Sequence, residues 1–199
     1  MIGTMSSSAQ PALTNDPGLA ALAARMLTTL QTVPLDGSLR HYRGYMFDVK
    51  DSSFTNAYAL AIRDVPESLR AQYTWIQCFQ GVSIPNELIA DGSRDVVFAQ
   101  ICMPHNCPDH TVYAFFDPAR KRAWGVVNVD KKGYPFGINS ARDEALMVAV
   151  LGRSVAAYGN DASSFPLSGK ALAIAKGSII ESEAVSDELF AKLDHAMMQ

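Results

Sequence analysis

DVVFAQICMPHNCPDHTVYAFF, residues 95–116, decides the fold. Two runs rich in β-branched and aromatic residues, Asp95 to Cys102 and Thr111 to Phe116, flank a short polar stretch with two prolines. Runs of this kind bounded by turn residues read as strands. Asp117-Pro118 then punctuates the chain, and Ala123 to Val129 reads as a third strand, close enough to the second to form a hairpin with it. Arg120, Lys121 and Arg122 fall between those two strands and read as their turn.

Outward from the strands the apolar period becomes helical. Asp16-Pro17 offers a side-chain cap followed by a proline whose missing N–H costs nothing there. Leu19, Leu22, Met26, Leu27 and Leu30 follow on one face, and Pro34 closes the segment. Ser52 or Ser53 can cap a second helix carrying Phe54, Ala57, Tyr58, Ala61 and Ile62, ended by Pro66. Ser140 with Asp143 resembles a capping box, opening a helix through Leu146, Met147 and Val150 that stops near Gly152. Gly159 to Ser168 is turn-rich, and Ser186 can cap a last helix bearing Leu189, Phe190, Leu193 and Met197. Helices at both ends of a run of strands imply the α+β class: a central antiparallel sheet with packed helices, and extra helices at both termini.

Composition narrows the function classes. A chain of 199 residues, 48% hydrophobic and 19% charged, can bury a core without disulfides. A net charge of −3 and no long basic run argue against nucleic acid as a partner. No apolar stretch is long enough to span a bilayer. Met1-Ile2-Gly3-Thr4-Met5 lacks the pattern of a signal peptide, whereas Ser6 to Gln10 reads as the start of a mature chain after signal removal. The expectation is therefore a periplasmic or secreted protein.

The chemistry gathers where Cys102 and Cys107 bracket Met103-Pro104-His105-Asn106. Four intervening residues allow a small closed ring. Such a ring adds little global stability, but it would be rigid, with Pro104 fixing one φ and His105 protruding. Three other readings stay open on the residues alone. Both cysteines can be reduced core residues, with His105 an ordinary loop residue. Cys102, Cys107 and His110, with His105 as a fourth donor, could ligate zinc, although the spacing matches no common zinc template. A cysteine hydrolase could use Cys102, Cys107 or Cys78 as nucleophile, His105 or His110 as base, and Asp109 or Asn106 to orient it. Adjacent residues on a tight loop rarely present such a triad. Elsewhere, Trp75 and Trp124 read as core or sheet-face residues, Cys78 as a buried free thiol, and His41 and His195 as surface residues. His110 reads as support for the loop rather than as a contact residue.

The string Cys102-Met103-Pro104-His105-Asn106-Cys107 resembles the Cys-Lys-Pro-His-Asp-Cys loop of the inhibitor of vertebrate lysozyme (Ivy) family. The resemblance extends to Phe47-Asp48-Val49, Phe54, Tyr58, Leu69 and Trp75-Ile76, then to Gly81, the segment from Ile84 to Arg94 and the strand from Asp95. After the loop it takes in Val112 to Phe116, Trp124 to Val129 and the helix from Ala141 to Leu151, about residues 45–155 in all. It implies an antiparallel sheet with packed helices, a Cys102–Cys107 disulfide, and inhibition of c-type lysozyme without catalysis, cofactor or metal. In that family the loop enters the lysozyme cleft and its histidine meets the two catalytic carboxylates. The inhibitory loop here would be Cys102, Met103, Pro104, His105, Asn106 and Cys107.

Two departures matter. Met103 stands where the family has lysine, and Asn106 where it has aspartate. An aspartate could hold the imidazole and raise its pKa, whereas asparagine can only orient it. The wedge stays while its charge attraction weakens, which points beyond vertebrate lysozyme to a bacterial peptidoglycan hydrolase, with this chain as an immunity protein. The expected organisation is a disordered or cloning-derived start (1–14), an N-terminal helical extension (15–44), the Ivy-like inhibitor domain (45–155), and a C-terminal extension with a terminal helix (156–199). The partner is a hydrolase, with a homodimer as a further option.

Overall fold

A computed structural model of the chain describes residues 17–29, 31–32, 37–42, 44–46, 51–90, 93–107, 109–130 and 132–157. Phe47-Asp48-Val49, the turn-rich 159–168 stretch, the helix expected from Ser186, and His195 lie outside the described residues.

The elements run α1 (Pro17–Thr29), β1 (Gln31–Thr32), a 3-10 turn (Gly37–Tyr42), α2 (Ser52–Ala61), a second 3-10 turn (Ile62–Asp64), α3 (Glu67–Gln72), α4 (Thr74–Cys78), β2 (Val82–Ser83), β3 (Glu87–Ala90), β4 (Asp95–Cys102), β5 (His110–Asp117), β6 (Arg122–Val129), β7 (Lys132–Phe136) and α5 (Ala141–Ala157). The sheet order is β1-β3-β4-β5-β6-β7, and every pairing is antiparallel. β2 lies beside the far end of β4, with Val82 opposite Cys102. The fold is α+β, as its sequence pattern implied.

The strands read as near-continuous apolar runs because the sheet is covered on both faces. Every residue of β5 is buried. Side chains alternate between two cores, as the two-residue period of a strand requires. Phe98, Phe115, Trp124 and Val126 face a cluster with Leu19, Met26 and Leu146 to Leu151 of the terminal helices. Val97, Ile101, Val112, Phe116 and Val127 face the opposite cluster, with Phe54, Tyr58, Ile62, Ile76 and Phe79. Three layers result: α1 with α5, the sheet, and α2 to α4.

Two helix ends differ from expectation. Asp51 caps α2, not Ser52 or Ser53. Its backbone is extended and its carboxylate accepts from the Ser53 N–H at 2.7 Å, which leaves both serines inside the first turn. α5 continues past Gly152 to Ala157. One glycine costs a helix about 1 kcal/mol, too little to end one whose residues Ala145 to Leu151 are buried against α1 and the sheet. Its start is as expected, with the Asp143 N–H donating to Ser140 Oγ at 3.1 Å. The Asp143 carboxylate accepts from the Asn139 N–H at 3.4 Å beside the cap and is shared with two arginines.

Those arginines form a clamp at the end of the sheet away from residues 102–110. Asp143, fully buried, pairs with Arg94 at 2.9 Å and Arg122 at 3.0 Å, and buried Asp117 takes Arg120 at 2.7 Å. The Arg94 guanidinium also lies 4.9 Å from the Trp124 ring centre, and the Trp124 indole N–H donates to the Asp143 carbonyl. The clamp joins the start of α5, the entry to β4 and the β5–β6 turn. Burial pushes the Asp143 carboxyl up, but hydrogen bonds from Arg122, Arg94 and Ser140 outweigh it and hold the group below its ordinary value. A carboxyl depressed in the folded state stabilises the fold fully above the ordinary carboxylate range, and that contribution is lost as pH falls through the folded value. Asp143→Asn should therefore cost about 3 kcal/mol at neutral pH, since it removes the buried carboxylate that two arginines share, although Asp117 remains 3.8 Å from Arg94. In urea titrations the gap to the parent should narrow below the ordinary carboxylate range; a gap constant with pH would contradict the clamp.

Candidate functional site: the loop between β4 and β5

The β4–β5 ladder delivers the two cysteines. Its register runs from Val97 opposite Phe116 to Cys102 opposite Thr111, and the Met103 N–H extends it by donating to the His110 carbonyl at 3.0 Å. Beyond that the chain reverses. The Asn106 N–H donates to the Met103 carbonyl and the His110 N–H to the Asn106 carbonyl, both at 3.0 Å. Pro104 and His105 occupy the two central positions of the first reversal, and His105 has φ +65°. Proline followed by a residue with positive φ is the pattern of a type II turn. Histidine reaches this region more readily than most residues, at a strain of about 1 kcal/mol or more.

Cys102 and Cys107 are joined by a disulfide, with Cα atoms 4.9 Å apart. The Thr111 hydroxyl donates to the Cys107 carbonyl at 2.6 Å, and the Asp130 N–H donates to the Asp109 carbonyl at 2.9 Å, tying the loop to the β6–β7 turn. Gly81 backs the ring from the other side. A Cβ there would stand 2.4 Å from the Cys102 carbonyl oxygen, so only glycine allows β2 to press so close.

The exposure pattern sorts the loop residues. Cys102 is buried, Met103, Asn106 and Cys107 are half-buried, and Pro104 and His105 are exposed. Among the described residues the His105 imidazole has no hydrogen-bond partner. Asn106, expected to orient that imidazole, turns its side chain to His110 instead, Nδ2 lying 2.7 Å from His110 Nδ1. His110 is buried and stacks obliquely on Tyr73, whose Oη is 3.3 Å from Nε2; Asp130 Oδ1 is 3.7 Å from the same nitrogen. Tyr73 and Asp130 went unnoticed in the sequence, because no local spacing connects them to residue 110.

The disulfide bears on two open readings. Zinc ligation or a catalytic thiolate at Cys102 or Cys107 needs a free thiolate, and the bond leaves neither one, whereas Cys78, the third nucleophile the sequence offers, is a free thiol. Among the described residues no group of three or more His, Cys, Asp and Glu is arranged to hold a metal ion. Cys78 corrects the expectation of a buried thiol: it is free and exposed, because α4 turns Ile76 to the core. Trp124 is fully buried, whereas Trp75 is half-buried against the α2–α4 core. His41 is exposed beside Asp51.

Fold and site together define an α+β protein that presents one covalently closed, prolyl turn at a sheet end. Residues 69–135 match the family described as inhibitor of vertebrate lysozyme (Ivy). The match takes in the strands β2 to β6, all but the last residue of β7 and the whole loop, a third of the chain, and is narrower than the 45–155 span of the sequence resemblance. No curated protein and no solved structure matches the chain. No helix among the described residues is long and apolar enough to cross a membrane.

The covalent arrangement is checkable by intact mass. Alkylation without reductant should add one label, at Cys78, in both native and denatured protein, and three labels after reduction. Three labels before reduction would contradict the closed loop.

Proposed function

We propose that this chain is a proteinaceous inhibitor, not an enzyme, and that it blocks a lysozyme-type peptidoglycan hydrolase by inserting the 102–107 loop into the active-site cleft. The observation that carries the proposal is the exposed His105 imidazole, without a hydrogen-bond partner among the described residues, at the tip of a turn held by a disulfide, a proline and a strand ladder, within the stretch matched to the Ivy family. Pre-organisation is what an inhibitor needs, because little freedom remains to be lost on binding.

A glycosidase of this type flanks the bond it cuts with one protonated and one ionised carboxyl. An imidazole wedged between them can donate to one and accept from the other, and when protonated it is attracted to the carboxylate. Substrate is excluded by the loop itself. No bond is made or broken by the inhibitor.

His105 is the one ionisable side chain among the four residues of the ring interior. The neutral Met103 and Asn106 favour a cleft less acidic than that of vertebrate lysozyme, and a bacterial peptidoglycan hydrolase fits, with the chain protecting its producer as an immunity protein. A disulfide-closed loop suits the periplasm or the exterior. We assign the inhibitor unit to residues 45–155, with α1 and β1 adding to its core. The mechanism needs no second copy of the chain.

Two substitutions at one position test the wedge. His105→Ala should weaken inhibition by about 2 kcal/mol, roughly 30-fold in Ki. His105→Gly should lose as much inhibition while leaving the denaturation midpoint unchanged or slightly raised, since glycine relieves the positive φ. A glycine variant that inhibits like the parent would overturn the role of the imidazole. The assay is run on a panel of c-type lysozymes and bacterial muramidases, and a parent chain that inhibits none of them would overturn the proposal itself.

A further inference from the structure

We infer that His110 is a positioning residue of the loop, and that its neutral form with the proton on Nε2 holds Asn106 inward so that only Pro104 and His105 form the tip. This rests on the inhibitor reading for its consequence, though not for its geometry. An amide nitrogen can only donate. With Asn106 Nδ2 at 2.7 Å, His110 Nδ1 must accept, which puts the single proton of the neutral ring on Nε2. That nitrogen faces two oxygens, Tyr73 Oη at 3.3 Å, which can accept its hydrogen bond, and Asp130 Oδ1 at 3.7 Å, near enough only for charge attraction.

The ring thus bridges three segments. Asn106 belongs to the loop, Tyr73 joins α3 to α4, and Asp130 lies in the β6–β7 turn. Among the described residues Asp130 and Tyr73 are the titratable groups facing the ring, and the backbone of residue 110 itself closes the loop through its N–H and carbonyl. Side chain and backbone of one residue therefore secure both ends of the turn that carries His105. It follows that asparagine at 106 is one half of a pair, not merely a lost charge. An aspartate at 106 would place a carboxylate against Nδ1 and draw a second proton onto a buried ring.

The experiment combines imidazole nitrogen NMR with inhibition on the same variants. In the full chain the neutral ring of His110 should be unprotonated at Nδ1 and protonated at Nε2, and the Asn106 side-chain amide signal should report its hydrogen bond to Nδ1. Asn106→Asp should protonate Nδ1 at neutral pH. His110→Ala should weaken inhibition roughly ten-fold through lost pre-organisation. His110→Gln, whose side-chain oxygen can accept from Asn106, should restore most of it. A neutral ring protonated on Nδ1, an alanine variant as potent as the parent, or a glutamine variant as weak as the alanine one would overturn the inference. If the parent inhibits no hydrolase, the inhibitor reading has failed, and the nitrogen signals still decide the placement of His110.

Discussion

The β4–β5 ladder is the constraint on which the rest depends. It pairs without interruption from Val97 opposite Phe116 to Cys102 opposite Thr111, at the centre of a sheet covered on both faces. A six-residue ring closed by one disulfide would be mobile as a free peptide. Here its two ends leave adjacent strands whose side chains are locked into two cores, so the direction of the ring is set by the sheet. The disulfide then removes the freedom that the strand ends would retain. Met103 and His110 continue the pairing into the ring itself.

The two ends of the sheet are built differently. At the α5 end, buried carboxylates and arginines tie β4, the β5–β6 turn and the terminal helix, each charge answered by another. At the loop end the hydrogen bonds come from an amide, an imidazole, a phenol, a hydroxyl and backbone groups, with one carboxylate, Asp130, beside the imidazole. Strain at His105 is tolerated because its neighbours on both sides are fixed. That it is held with positive φ, its side chain without a hydrogen bond among the described residues, is the physical ground for the role proposed for it.

Long elements were legible in the sequence and short ones were not. β4, β5 and β6 announce themselves by runs of valine, phenylalanine and tryptophan, and the core faces of α1, α2 and α5 by helical spacing. β1 and β2 have two residues each, too few to show a period, and Gly133 and Pro135 disguise β7, where an edge position tolerates proline. α3 and α4 are too brief to carry an apolar face of their own. The cysteine pair and His105 were readable because they are contiguous. The direction of Asn106 was not, since its partner is decided by how α3–α4 and the β6–β7 turn pack around residue 110. Asp51 precedes two serines that are equally good caps by residue type, and Cys78, core-like by residue type, falls on the outer side of a single helical turn.

The account's central claim is that the 102–107 loop occupies the substrate cleft of a lysozyme-type hydrolase. Competition tests it most directly. The affinity of the chain for its target hydrolase is measured by calorimetry while a chito-oligosaccharide, bound in the catalytic cleft, is raised to saturation. Mutually exclusive binding, with apparent affinity falling in proportion to cleft occupancy, is the result the account requires. Unchanged affinity at full occupancy would place the loop elsewhere on the enzyme and contradict it.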